Sequence, residues 1–212
     1  RLERLAKKAS FADFDATLDA PHAFAPRAGE EVAMRRWRAE DDSWDDAVSL
    51  VKEQWQQSYD GILGFSEGAS LAMRLALRDE LPGLRFIIAA SGSADDDLTT
   101  GAADDAKKCS VASLHLWSAS DTAVAPSSSE SAAALFRGAV VHTHDAGHAI
   151  PSKSGDLAAI CEFLAKEHAR AAARPPSPYE VTVEHSDELE ALAAIYPEEF
   201  ELEEGPNPPS FR

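Results

Sequence analysis

Long apolar runs are missing from this sequence: its wholly apolar stretches, such as Phe86 to Ala90, are far too short to cross a bilayer. The N-terminus carries no basic and apolar export signal either. No membrane span is therefore expected, and a cytoplasmic chain, with the nucleus also open to it, fits. Cysteine is scarce. The two present, Cys109 and Cys161, are too few for a disulfide framework and suit a reducing compartment. Positive charge is in deficit: 20 Lys and Arg stand against 37 Asp and Glu, a net charge of −17 at pH 7. Such a surface repels phosphates and argues against a nucleic-acid partner. An initiator methionine is lacking too, the chain opening at Arg1 inside what reads as a helix with Leu2, Leu5 and Ala6 on one face. It reads as a fragment or a truncated gene model. No cofactor is expected. His142 and His144 alternate on one strand face as a metal pair would, but no third ligand stands nearby, so no metal site is expected.

What is present is ordinary globular material. The 44% hydrophobic and 27% charged residues of a 212-residue chain suffice for one sizeable core and a small appendage. The chain is organised around Gly64-Phe65-Ser66-Glu67-Gly68, where the short apolar run Gly61-Ile62-Leu63 ends in Gly-x-Ser-x-Gly. This reads as a nucleophile elbow, a strand running through a sharp turn into a helix. The chemistry requires that form, because a serine hydroxyl attacks only when a base takes its proton and the backbone presents it free of neighbours. Apolar residues at 71, 72, 75 and 76 continue with helical spacing.

Along the chain, Arg1 to Ser10 reads as the end of a basic amphipathic helix and Phe14 to Leu18 as a strand broken by Asp19-Ala20-Pro21-His22. Residues 23 to 43 read as a loop or lid over a site, and Trp44 to Trp55 as a helix. Leu84 to Ala90 is a buried strand closed by Ser91-Gly92-Ser93, followed by an acidic loop from Ala94 to Lys108. Val111 to Ser118 is the next strand. Ser127-x-x-Glu130 reads as a capping box opening a helix that runs to Arg137, with Gly138 as its stop. Ala139 to His142 is the last strand, and Ser154 to Ala173 a helix with one buried face that includes Cys161. The alternation predicts an α/β fold with a mostly parallel sheet flanked by helices over residues 1–173. Arg174 to Pro178 is a stiff proline linker, and residues 179–212 form a separate, acidic, helical tail.

A serine on an elbow needs a base and an orienting acid, and α/β-hydrolases supply them in the order Ser, Asp, His, each just past a strand. Asp121 follows the strand ending at Ser118, and His148 follows the strand ending at His142, at spacings of 55 and 27 residues. Ser66, Asp121 and His148 are thus the candidate catalytic residues, with the Glu67 backbone N–H as an oxyanion donor. Asp95, Asp96, Asp97, Asp104 and Asp105 follow the wrong strand for the acid and read as a solvated charge run.

With these sites in view, the chain resembles the FSH family of serine hydrolases. The resemblance rests on Asp19 to His22, Asp60 to Ser66, Ser91-Gly92, Ser113 to Asp121 with Val124 and Pro126 beyond, and Gly147 to Pro151. It implies an α/β-hydrolase-type sheet, a cytosolic esterase acting on a small carboxylic ester, and the roles just given for Ser66, Asp121 and His148. Two departures accompany it. Family elbows usually carry Gln where Glu67 stands, and the family opens with a strand and a His-Gly loop for which nothing precedes Arg1, so a first strand is expected to be missing from the sheet between the Thr17 and Ile62 strands. Low turnover is the expected consequence. Glu188 to Phe200 resembles the opening helix of RWD interaction domains, which implies a protein partner for residues 179–212. An acyl thioesterase and a catalytically weak interaction protein are the alternative readings.

Overall fold

In the computed structural model of the chain, residues 5, 7–9, 12, 14, 17–24, 34–56, 58–99 and 108–173 are described. The most apolar segments pair with one another, since strands buried on both faces must be apolar throughout. Four parallel strands result: β3 (Gly61–Phe65), β4 (Phe86–Ala90), β5 (Ala112–Ser118) and β6 (Val140–His144), in the order β3-β4-β5-β6. Register runs from Gly61 opposite Phe86 through Phe86 opposite Ala112 to Leu114 opposite Val140. β4 and β5 are almost wholly buried, whereas β6 leaves Val140 and Val141 exposed.

Side-chain alternation sends successive residues to opposite faces of this sheet. On one face Ile88, Leu114 and Leu116 pack against Leu157, Ile160, Phe163 and Leu164 of α5 (Ser154–Ala172), with Leu5 and Ala9 added. On the other, Ile87 and Ala89 meet Ala69, Ala72, Met73 and Ala76 of α2 (Glu67–Leu77), together with Ala132 of α4 (Pro126–Ala133). The alanines matter because they let α2 lie close to the strands. A side chain at Gly92 would stand 2.7 Å from the Ala69 Cβ. Outside α2, Trp44, Ala47 and Val51 of the α1 segment (Asp45–Gln54 with its N-cap Trp44) cover Leu71 and Leu75.

The described structure corrects several expectations. Phe14, Thr17 and Leu18 are not in a strand, and Asp15 and Ala16 lie outside the described residues. A strand exists only with a partner to pair, and among the described residues β3 is bonded to β4 alone. Leu18 instead packs against the Trp44 cluster. Within residues 23–43, β1 (His22–Phe24) pairs antiparallel with β2 (Met34–Arg36). The acidic loop holds a short helix, α3 (Asp96–Thr99). α4 begins two residues earlier than read, ends at Ala133 rather than Arg137, and uses no capping box: Pro126 at its first position, with Ala125 as N-cap, starts it without a side-chain bond. Proline suits that place because the first N–H of a helix has no acceptor within the helix. At the N-terminus Leu5, Lys7 and Lys8 are helical. The chain divides into two compact units, Arg1–Ala171 and Ala172–Arg212, and the linker and tail at 174–212 lie outside the described residues. No helix among the described residues is long and apolar enough to cross a membrane.

Candidate active site

Ser66 belongs to neither β3 nor α2. Its N–H extends the sheet ladder by bonding the Ala90 carbonyl at 2.8 Å, while its own carbonyl accepts the N–H groups of Ala69 and Ser70 at 3.0 and 3.1 Å. Serving a strand on one side and a helix on the other forces a reversal within one residue, and Ser66 takes φ 55°, ψ −122°. L-residues rarely adopt that conformation. The glycines explain how the turn closes: a Cβ on Gly64 would stand 2.3 Å from the Gly68 carbonyl oxygen, so only a bare α-carbon fits there. Gly68 itself lies beneath the Trp37 indole, whose Nε1 would be 3.2 Å from an added Cβ. Glu67, first in α2, has a backbone N–H with no acceptor within the helix.

His148 and Asp121 arrive on the loops after β6 and β5, the neighbouring carboxyl ends of the sheet. His148 Nε2 lies 3.0 Å from Ser66 Oγ, and its Nδ1 lies 2.9 and 3.1 Å from the two Asp121 oxygens. Phe65 packs its ring against the imidazole at 4.9 Å between centroids. The Asp121 side chain is 1% exposed. Burial pushes its pKa up, but the Val124 N–H, His148, the Ala123 N–H and the Ser91 hydroxyl together outweigh this and bring it down to about 2. Asp121 is therefore ionised at neutral pH. An ionised acceptor at Nδ1 fixes the proton there and leaves Nε2 free to accept from the serine hydroxyl.

The structure thus brings Ser66, His148 and Asp121 into one hydrogen-bonded line and leaves the other acids out of it. Asp96 and Asp97 are exposed, as the sequence suggested, but Asp95 is half-buried. Asp95 takes hydrogen bonds from Arg38, the Trp44 indole and Arg74, and Asp97 from Arg74 and Arg78. Asp104 and Asp105 lie outside the described residues. Glu67 points its carboxylate away to accept the Trp37 N–H at 2.5 Å, which ties the start of α2 to the chain leaving β2. His142 Nε2–H donates to the Asp156 carboxylate at 2.9 Å, and His144 Nδ1 accepts the Ala146 N–H at 3.1 Å. Burial lowers the His144 pKa, which favours the neutral ring that can accept there.

Two further residues escaped the sequence reading. Ser91, at the end of β4, is fully buried at φ 51°, and its hydroxyl reaches no partner at full hydrogen-bond geometry, yet it counts as the last of the groups that hold the Asp121 pKa down. Ser118, at the end of β5, accepts N–H groups from both site loops. A serine terminating a buried apolar strand was the available signal for each.

A parallel sheet with a serine on the turn after one strand, and an acid and a histidine on loops after later strands, defines the α/β-hydrolase class. Within it, this chain belongs to the serine hydrolase family described as Serine hydrolase (FSH1), whose model matches residues 4–160. The chain is 34% identical over 111 residues to Esterase OVCA2 of Mus musculus, covering 50% of this chain and 48% of that one. It is 31% identical over 157 residues to Esterase C25G4.2 of Caenorhabditis elegans, covering 68% and 65%. The chain thus spans about half to just under two thirds of these relatives' length. Among solved structures, a substituted form of Arabidopsis thaliana SOBER1 superposes with a TM-score of 0.55 at 16% identity, covering 78% of this chain and 92% of that one, a likeness of fold.

Proposed function

We propose that the chain is a hydrolase of small carboxylic esters working through an acyl-enzyme on Ser66. The observation that carries this is the single imidazole of His148 standing 3.0 Å from Ser66 Oγ on one side and 2.9 Å from Asp121 on the other. His148 Nε2 takes the hydroxyl proton as Oγ bonds the ester carbonyl carbon. The oxygen of the resulting tetrahedral species carries the negative charge and is met by the Glu67 backbone N–H. As the carbon–oxygen bond to the alcohol breaks, His148 returns its proton to the leaving oxygen. Water, deprotonated by the same nitrogen, then releases the acid and restores Ser66. Asp121 stays ionised throughout, orienting the ring and stabilising the imidazolium.

Reaction with a fluorophosphonate probe followed by peptide mass spectrometry tests the nucleophile: modification is expected on Ser66 and is lost in Ser66→Ala. Parallel series of p-nitrophenyl esters and acyl thioesters test the substrate class, esters of apolar acyl chains being the better substrates. An unlabelled protein inert toward both series would sink the enzyme reading and favour an interaction protein. We propose further that residues 179–212 form a module separate from the hydrolase, presenting a helix face with Leu189, Leu192, Ile195 and Tyr196 to a protein partner.

A further inference from the structure

The loops bearing the acid and the histidine are joined through an atom outside the Ser66–His148–Asp121 line. Ser118 Oγ accepts the N–H of Ser120, the residue before Asp121, at 3.2 Å, and the N–H of Gly147, the residue before His148, at 3.3 Å. It also lies 2.9 Å from Ser120 Oγ. A hydroxyl has two acceptor positions and one proton, so with both acceptor positions occupied Ser118 is the donor to Ser120. Its capacity is then fully used. Ser118 is 0% exposed, its own carbonyl accepts the Asp121 N–H at 3.1 Å, and Gly147 turns at φ 63° directly before the histidine.

We propose that Ser118 is a positioning residue, its hydroxyl setting the separation of His148 from Asp121 by holding the residue before each. The proposal rests on the functional reading of those two residues given above. A buried hydroxyl that only satisfied local backbone would bond within its own loop, but the Gly147 N–H is 29 residues away in the chain. Removing the hydroxyl leaves that N–H of a half-buried loop facing the methyl group of a fully buried residue. The cheapest remedy is for the loop to move toward water, and His148 moves with it.

Ser118→Ala is expected to lower kcat roughly tenfold on a short-chain p-nitrophenyl ester with KM unchanged, the signature of lost alignment rather than lost binding. In a Ser66→Ala background, the low-field proton resonance of His148 Nδ1–H should shift or broaden when Ser118 is also replaced. That second readout needs no turnover, so an inactive protein would defeat the proposed function while still testing Ser118. Ser120→Ala, which leaves both N–H bonds to Ser118 in place, should match the unmutated protein in kcat and in the resonance. A lower melting temperature for Ser118→Ala with unchanged kcat and resonance would overturn the proposal. Should Ser118→Ala fail to fold, hydrogen exchange of the Gly147 amide in the unmutated protein decides: slow exchange supports the clamp, and exchange at the rate of an open loop refutes it.

Discussion

Gly64→Ala asks whether the shape of the elbow, and not only its serine, is required. The added methyl would stand 2.3 Å from the Gly68 carbonyl oxygen, 2.6 Å from its carbonyl carbon and 2.7 Å from the Ala69 α-carbon. Ordinary carbon contacts lie near 3.5–4 Å, so the first turn of α2 must retreat by about 1 Å. These are backbone atoms, and no rotamer change relieves the clash. Overpacking of this kind costs about 1–3 kcal/mol. For a domain of this size that is a fall in melting temperature of roughly 2–12 °C. The larger effect falls on chemistry, because the displaced turn carries Glu67 and is continuous with Ser66, and a misplacement of about 1 Å costs on the order of a hundredfold in rate. Gly68→Ala is the internal comparison: its methyl meets Trp37 Nε1 at 3.2 Å, the end of a side chain that can give way. Ester hydrolysis, probe-labelling rate and thermal melting of the two variants side by side are the assay. If Gly64→Ala hydrolyses esters within twofold of the unmutated protein, the elbow is not the rigid element that its contacts imply.

Three other expectations follow from the site and the core. Asp121→Asn should lower kcat by on the order of a thousand- to ten-thousandfold while Asp95→Asn leaves it unchanged and lowers only the melting temperature; the reverse pattern would move the acid to Asp95. Glu67→Gln keeps an oxygen to accept the Trp37 N–H and should retain kcat/KM, whereas Glu67→Ala releases that segment and should reduce it, a difference that steady-state kinetics on one ester resolves. His115 is 2% exposed and burial lowers its pKa from 6.5 to about 4. Above pH 6.5 neither state is protonated there and nothing is lost; as pH falls from 6.5 to about 4 the unfolded state alone gains a proton, and stability drops by on the order of 3 kcal/mol. Below about pH 4 the Asp121 contribution is lost as well, as pH passes from 3.8 toward about 2. Urea melts at stepped pH should show the first loss and should show it reduced in His115→Gln.

Much of this was legible in the sequence because local constraints betray themselves. Gly64 precedes Ser66 because nothing larger fits there, and the alanines of α2 advertise close packing on the sheet. The order Ser66, Asp121, His148 followed from strand ends that were themselves readable as apolar runs. What escaped was whatever depends on a partner distant in the chain. Asp95 looked solvated because its cations, Arg38 and Arg74, are 57 and 21 residues away. Phe14 to Leu18 has a strand-like composition, but composition does not supply a neighbour to pair with. Ser127 and Glu130 match a capping pattern, and the adjacent Pro126 pre-empts it by starting the helix on its own fixed φ. Ser118 is a small polar residue until Gly147 is brought beside it.

The left-handed backbone of Ser66 has an evolutionary corollary. Holding a non-glycine residue at φ 55°, ψ −122° costs on the order of 1–3 kcal/mol, and glycine would hold it with far less strain. Ser66→Gly should accordingly melt at a higher temperature than the parent. Any laboratory selection of this chain for heat resistance or yield alone, without a screen for turnover, will therefore favour variants that have discarded the Ser66 hydroxyl.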